Sequence, residues 1–324
     1  MAADLSATAA SDLPKSVQEM SINGSEPPQE YIVKDATFGS VVSSPPLGSI
    51  PIINISLFLP SSSHDAEHVE NELQKLRSAL SSSGCFQAIG HGISSSFLDK
   101  VRGVAKQFFS LPVEEKQKYS RAVNESEGYG NDVIVSEKQV LDWSYRLTQR
   151  VFPEDRRRLN LWAENPTDFG TKSVVDLLYK AMAKSLNLEE DSFSKQFGDN
   201  TLMSGVTVLL QDGEVEGLQV LIEDKWVRVP IVPHALLVNL GEQMQIMSNG
   251  IFKSTPMHRV VTNTEKMRMS VAMFNEPQPN REIGPVGCLI DEKRPRLCRN
   301  VTNYSAINYE CFQKGKIALE TVRI

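Results

Sequence analysis

The sequence has no basic excess, no C-x-x-C pair, no long apolar run and no internal repeat. Each absence removes a class of function. Lys and Arg number 34 against 40 Asp and Glu, a formal charge of −6. A chain of that balance offers no cationic surface to nucleic-acid phosphates or anionic lipid, so neither nucleic acid nor membrane is expected as a partner. The four cysteines (Cys85, Cys288, Cys298 and Cys311) stand far apart without zinc-type spacing. They read as free thiols used for packing in a reducing compartment. No stretch has the length of a membrane-spanning helix. The opening MAADLSATAASDLP carries acidic residues and lacks the basic-then-apolar pattern of a secretory leader, so the expected location is cytoplasmic. What is present is a chain of 324 residues, 40 % hydrophobic and 23 % charged, large enough to bury a sizeable core. A monomer is the expected state.

Three regions follow from the texture of the chain. Residues 1–49, rich in Ser, Pro and Gly, read as a loosely ordered arm with PPLGS (45–49) as its turn. Residues 50–200 mix strands and helices. IPIINISLF (50–58) and CFQAIGHGI (85–93) are β-rich, and apolar residues recur at helical spacing over 65–82, from Ser95 to Phe109, and over 173–188. Residues 201–324 change character. VTVLLQ, GLQVLI, KWVRVP, ALLVNL, HRVVT and RMSVAMF are short strand-like runs with polar turns between them, the pattern of an antiparallel sandwich or barrel, and helical text closes the chain. The acidic DGEVEG (212–217) lacks calcium-loop spacing and reads as a hairpin turn.

The segment MHRVVTNTEKMRMSVAMF (257–274) carries the chemistry. His258 opens one strand, Asn263 to Lys266 form a tight turn, and Arg268 and Ser270 fall two apart on the predicted return strand, which points them to one face. A guanidinium on an inward face needs an anion. Its planar fork matches a carboxylate, and a neighbouring hydroxyl supplies a further hydrogen bond. His258 is a candidate metal ligand beside them.

With LLQDGEVEGLQVL (209–221), HALLVNLGEQMQIMSNGIFKS (234–254), FFSLPVEEKQKY (108–119) and EGYG (127–130), this segment resembles the plant 2-oxoglutarate- and Fe(II)-dependent oxygenases. The nearest branch holds flavonol and anthocyanidin synthases, alkaloid O-demethylases and the senescence-related and norcoclaurine-synthase-like members. The resemblance implies an α+β protein with a mainly β core, a double-stranded β-helix (jelly roll) packed by N-terminal helices. It implies Fe(II) and 2-oxoglutarate as cofactors, ascorbate as reductant, and a small-molecule substrate that is hydroxylated, demethylated or desaturated. It assigns His258 as an iron ligand, Arg268 and Ser270 as the holders of the distal 2-oxoglutarate carboxylate, and Phe274 as a wall of the substrate pocket.

The family takes its other two iron ligands from an H-x-D motif just before the strand matching VTVLLQ, completing a 2-His-1-carboxylate triad. Here residues 197–212 read FGDNTLMSGVTVLLQD, with no histidine. About two dozen residues, two strands and their loop at ordinary strand lengths, are missing by this comparison between Met203 and Gly205. The barrel is therefore expected to be incomplete and the iron site disabled or severely weakened. His64 and His68 lie on a predicted surface helix, His91 in a turn, and His234 at a strand start, and none replaces the motif. Three readings stay open: an active oxygenase, a non-catalytic relative that binds 2-oxoglutarate or another small molecule, and a truncated gene product.

Overall fold

A computed structural model describes residues 17–22, 26–32, 45–59, 65–122, 125–131, 141–151, 156–161, 171–196, 205–255, 257–263, 265–274, 281–313 and 316–324. The expected gap between Met203 and Gly205 and the histidine His64 lie outside these residues.

The helices are α1 (Val17–Ile22), α2 (Ala66–Ser82), α3 (Ser95–Phe109), α4 (Val113–Gln117), α5 (Thr171–Ser185), α6 (Glu242–Met247) and α7 (Tyr304–Gln313). The strands of the first half are β1 (Ile52–Asn54), β2 (Cys85–Ile89), β3 (Gly128–Gly130) and β4 (Arg146–Thr148). Those of the second half are β5 (Val206–Leu210), β6 (Leu218–Ile222), β7 (Lys225–Arg228), β8 (Leu236–Leu240), β9 (His258–Val260), β10 (Val271–Phe274), β11 (Glu282–Ile283) and β12 (Val301–Thr302).

Local chemistry accounts for several of these boundaries. Asp65 caps α2 by accepting the Glu67 N–H, and Ser94 caps α3 by accepting the Phe97 N–H. The β6–β7 hairpin turns through Glu223 and Asp224, both at positive φ (48° and 59°), the backbone of a two-residue turn that follows the strand twist.

Two sheets face each other. The larger runs β1-β2-β8-β5-β10 and the smaller β7-β6-β9. One face of the larger sheet, through Val206, Val208, Leu210, Leu236, Val238 and Leu240, packs on Leu76, Leu80, Leu178 and Met182 of α2 and α5. Its other face meets the smaller sheet through Cys85, Leu237, Leu218 and Val220. Alternation along β5, where Val206, Val208 and Leu210 are buried and Thr207 and Leu209 less so, is what lets one strand serve both layers.

Among the described residues the two sheets form a sandwich and no closed barrel. A jelly roll uses eight strands, whereas among the described residues β5 to β10 supply six, three to each sheet. Among the described residues β9 pairs only with β6 and β10 only with β5, so each sheet ends on the same hairpin-linked segment. The chain enters β5 through Gly205 (φ 131°), where a Cβ would press on Met244 Cγ at 2.7 Å.

Three local expectations need correction. PPLGS is no turn: Leu47 bridges Arg228 in parallel, Gly48 N–H donates to Arg228 O at 2.7 Å, and Arg228 N–H donates to Pro46 O. The arm ends as an added edge along β7. DGEVEG is no hairpin either, because it carries the chain from β5 in one sheet to β6 in the other. Arg268 and Ser270 precede β10, which begins at Val271, so they lie on the connecting loop.

Candidate functional site

The register places the sequence-predicted residues. His258 pairs with Val220, and Val260 with Leu218. Directly paired residues share a face, and Val220 and Leu218 face the larger sheet in the inter-sheet core. His258 and Val260 therefore lie on the inner wall of the smaller sheet. Across from it, Phe274 pairs with Thr207, Thr207 with Asn239, and Asn239 with Cys85, whose side chain belongs to the same inter-sheet core. Phe274 ends that row on the inner wall of the larger sheet. Both ends sit at the open flank. His258 is exposed, Val260 is 55 % exposed and Phe274 69 %. Residues that would line the interior of a closed barrel here meet solvent.

Arg268 is placed differently. It is half-buried, and its Nε is buried with no hydrogen-bond partner. Burial pulls its pKa below the ordinary arginine range, and the nearby Asp212 carboxylate partly opposes that. Gly217 lies under it: a Cβ there would come within 2.9 Å of Arg268 Cδ and 2.9 Å of Val261 O, so only glycine allows this approach. The loop itself is held by side chains. Asn263 Oδ1 accepts the N–H groups of Glu265 and Lys266, the tight turn read from the sequence. Asp212 Oδ2 accepts the Met269 N–H at 2.8 Å, between Arg268 and Ser270. Asp212 Oδ1 accepts from Glu214 N–H at 2.9 Å and Val215 N–H at 3.1 Å. Burial resists the Asp212 charge, but these backbone donors prevail and hold its pKa below the usual carboxylate range. Ser270 is exposed beside this clip, in a shallow cleft shared with Arg102 and Lys106 of α3.

Sequence reasoning missed Asp212, Gly217 and Asn239. Asn239 Oδ1 is buried without a partner, in the row that ends at Phe274. The double acidic-glycine pattern of 212–217 was visible, but its target, a backbone N–H at position 269, was not.

The groups implied by the resemblance fit unequally. An anion suits a half-buried guanidinium whose buried Nε has no partner among the described residues, with an exposed hydroxyl two residues on. Iron does not find its donors among the described residues. Among the described residues no group of three or more His, Cys, Asp or Glu could hold a metal ion. No histidine anywhere in the sequence is followed two residues later by aspartate. The remaining histidines have other surroundings. His68 is exposed near Asp65, and His91 bonds the His234 carbonyl at 2.9 Å while its Nδ1 accepts the Ile93 N–H.

Comparison with known proteins gives these features a family. Residues 50–165 match the N-terminal family of non-haem dioxygenases in morphine synthesis, and residues 178–277 match the 2OG-Fe(II) oxygenase superfamily. Protein SRG1 of Arabidopsis thaliana is 33 % identical over 312 residues, covering 85 % of this chain and 86 % of that relative. Those 312 aligned positions draw on only 85 % of a 324-residue chain, so several tens of the relative's residues have no counterpart here. Codeine O-demethylase of Papaver somniferum is 33 % identical over 260 residues, covering 70 % of this chain and 72 % of the enzyme. Among solved structures, JOX2 in complex with 2OG, Fe and JA superposes with a TM-score of 0.78 at 28 % identity, over 97 % of this chain and 98 % of that one. The chain belongs to the 2OG-Fe(II) oxygenase superfamily, whose cofactors are Fe(II) and 2-oxoglutarate, and its relatives are plant oxygenases of specialised metabolism.

Proposed function

We propose that this chain keeps the 2-oxoglutarate end of the family's site and has lost the iron end, so that it binds the dicarboxylate without productive turnover. The observation that carries this reading is the donor set: among the described residues His258 belongs to no group of three or more metal-ligating side chains, and the sequence contains no H-x-D. One imidazole gives weak, unselective iron binding, because affinity and geometry come from an assembled set of ligands. Among the described residues β9 and β10 end their sheets, and those unpaired edges support the same reading. On this reading His258 is a solitary remnant ligand, Arg268 and Ser270 hold the distal carboxylate, and Phe274 with Val260 gives the flank an apolar wall for a small organic molecule. We place the arm at 1–49, the mixed region at 50–200 and the jelly-roll region at 201–324, and take the working form as a cytoplasmic monomer.

The test is direct. The full chain, reconstituted anaerobically with Fe(II) and then supplied with oxygen, 2-oxoglutarate and ascorbate, is expected to release no succinate above background. It is expected to bind 2-oxoglutarate in calorimetry, roughly ten- to a hundred-fold more tightly than Arg268→Ala, as a charge-assisted bond implies. Stoichiometric iron with 2-oxoglutarate-dependent succinate formation overturns the proposal. That outcome would favour the second reading, an active oxygenase, which rests on the likeness to enzymes such as codeine O-demethylase.

A further inference from the structure

We propose that Asp212 is a positioning residue for the dicarboxylate site, acting through Arg268. The inference rests on the assignment of Arg268 as the anion holder. Asp212 follows the end of β5 and is 3 % exposed. Its two oxygens serve two different loops. Oδ1 gathers the N–H groups of Glu214 and Val215 and so shapes the crossover that continues to Gly217. Oδ2 takes the N–H of Met269, the residue between Arg268 and Ser270. Gly217, at the far end of the first loop, is the surface on which Arg268 Cδ rests.

A single carboxylate thus ties the floor beneath the guanidinium to the backbone that carries it. The two loops are 57 residues apart in sequence where this bond forms, and they connect strands of different sheets. β10 begins at Val271, so Arg268 has no ladder hydrogen bonds of its own to orient it. The Asp212 bond is what sets the direction of the fork. A carboxylate is required because both oxygens must accept; an amide presents one acceptor and one donor, and whichever way it turns one loop meets a donor instead. Orientation matters to arginine in particular, whose planar donors bind a carboxylate bidentately, and much less to a lysine, which acts as a point charge.

That difference supplies the experiment. Binding of 2-oxoglutarate to the full chain is measured by calorimetry for the parent, Asp212→Asn, Arg268→Lys and the double variant, with melting of the unliganded proteins alongside. Asp212→Asn is expected to weaken binding tenfold or more where Arg268 is present, and by less than twofold in the Arg268→Lys background. Equal weakening in both backgrounds marks general loosening and overturns the proposal, as does binding by Asp212→Asn within twofold of the parent. If Asp212→Asn does not fold, Asp212→Ser takes its place, keeping a short acceptor for the crossover turn while failing to reach Met269. A folded parent with no affinity for 2-oxoglutarate, by contrast, overturns the anion-site assignment itself.

Discussion

The two sides of the sandwich are built from the same kinds of residue and end in opposite conditions. On one side β1, β2, β8 and β5 press Val206, Val208, Leu236 and Val238 against α2 and α5, where Leu76, Leu80, Leu178 and Met182 are fully buried. On the other side β10, β9 and the residue that leads into β9 carry Phe274, Val260 and Met257 into solvent at 69 %, 55 % and 47 % exposure. Hydropathy alone does not separate Leu80 from Phe274. What separates them is whether a neighbouring element among the described residues covers the face. The closed flank is a core; the open flank is a wall that no other described element covers. An edge strand such as VAMF, with no charge, proline or bulge, also lacks the usual protection against pairing with other chains.

The largest effect should come from the closed flank. Leu80→Ala removes a fully buried side chain between α2 and the sheet. A cavity in a well-packed core costs about 2–5 kcal/mol, which is a large fraction of the stability of an ordinary domain. Urea unfolding followed by circular dichroism checks this. A loss under about 1 kcal/mol would mean that the helical layer is as loosely held as the open flank, and the contrast would fail.

An intermediate effect belongs to the point where the flanks meet. Gly217→Ala puts a methyl within 2.9 Å of both Arg268 Cδ and Val261 O. Overpacking of this kind costs about 1–3 kcal/mol. Because the backbone oxygen yields less readily than the arginine stem, the side chain that moves is Arg268. Affinity for 2-oxoglutarate should therefore fall roughly tenfold, an amount set by the charge-assisted bonds lost. Unchanged affinity in calorimetry would show that Arg268 is not held against Gly217 in solution.

Where periodicity was strong, the structure could be read from the sequence. The helix expected from Ser95 to Phe109 has those boundaries, because Leu98, Val101 and Phe108 make a buried stripe and Ser94 caps its start. The strands VTVLLQ, GLQVLI and ALLVNL lie where their β-rich runs put them. What failed depended on distant partners. PPLGS has every mark of a turn, and it is drawn out straight by Arg228, which lies far along the chain in the second half. DGEVEG looks like a hairpin because no local signal says that its two strands belong to different sheets. Arg268 and Ser270 were expected on a strand, but β10 begins only where β5 is there to pair with it. Asp212 was seen as part of a turn, and its bond to Met269 has no trace in local pattern.

The smallest effect is the sharpest test of the open flank. Phe274 sits on the inner wall by register, pairing with Thr207 in the row that continues to Asn239 and Cys85. In a closed barrel a phenylalanine so placed would be core, and Phe→Ala would cost about 3–5 kcal/mol. Here the ring is 69 % exposed, and truncating a side chain outside the core usually changes stability by no more than about 0.5 kcal/mol. The expectation for Phe274→Ala is that small value, measured at a protein concentration low enough to keep edge strands from pairing. The loss is read against Leu80→Ala under the same conditions. Similar losses for the two would mean that something covers the ring in solution and that the flank is closed. A clear gap between them places Phe274 on an uncovered wall, where its ring is available to a small molecule because no strand has taken its place.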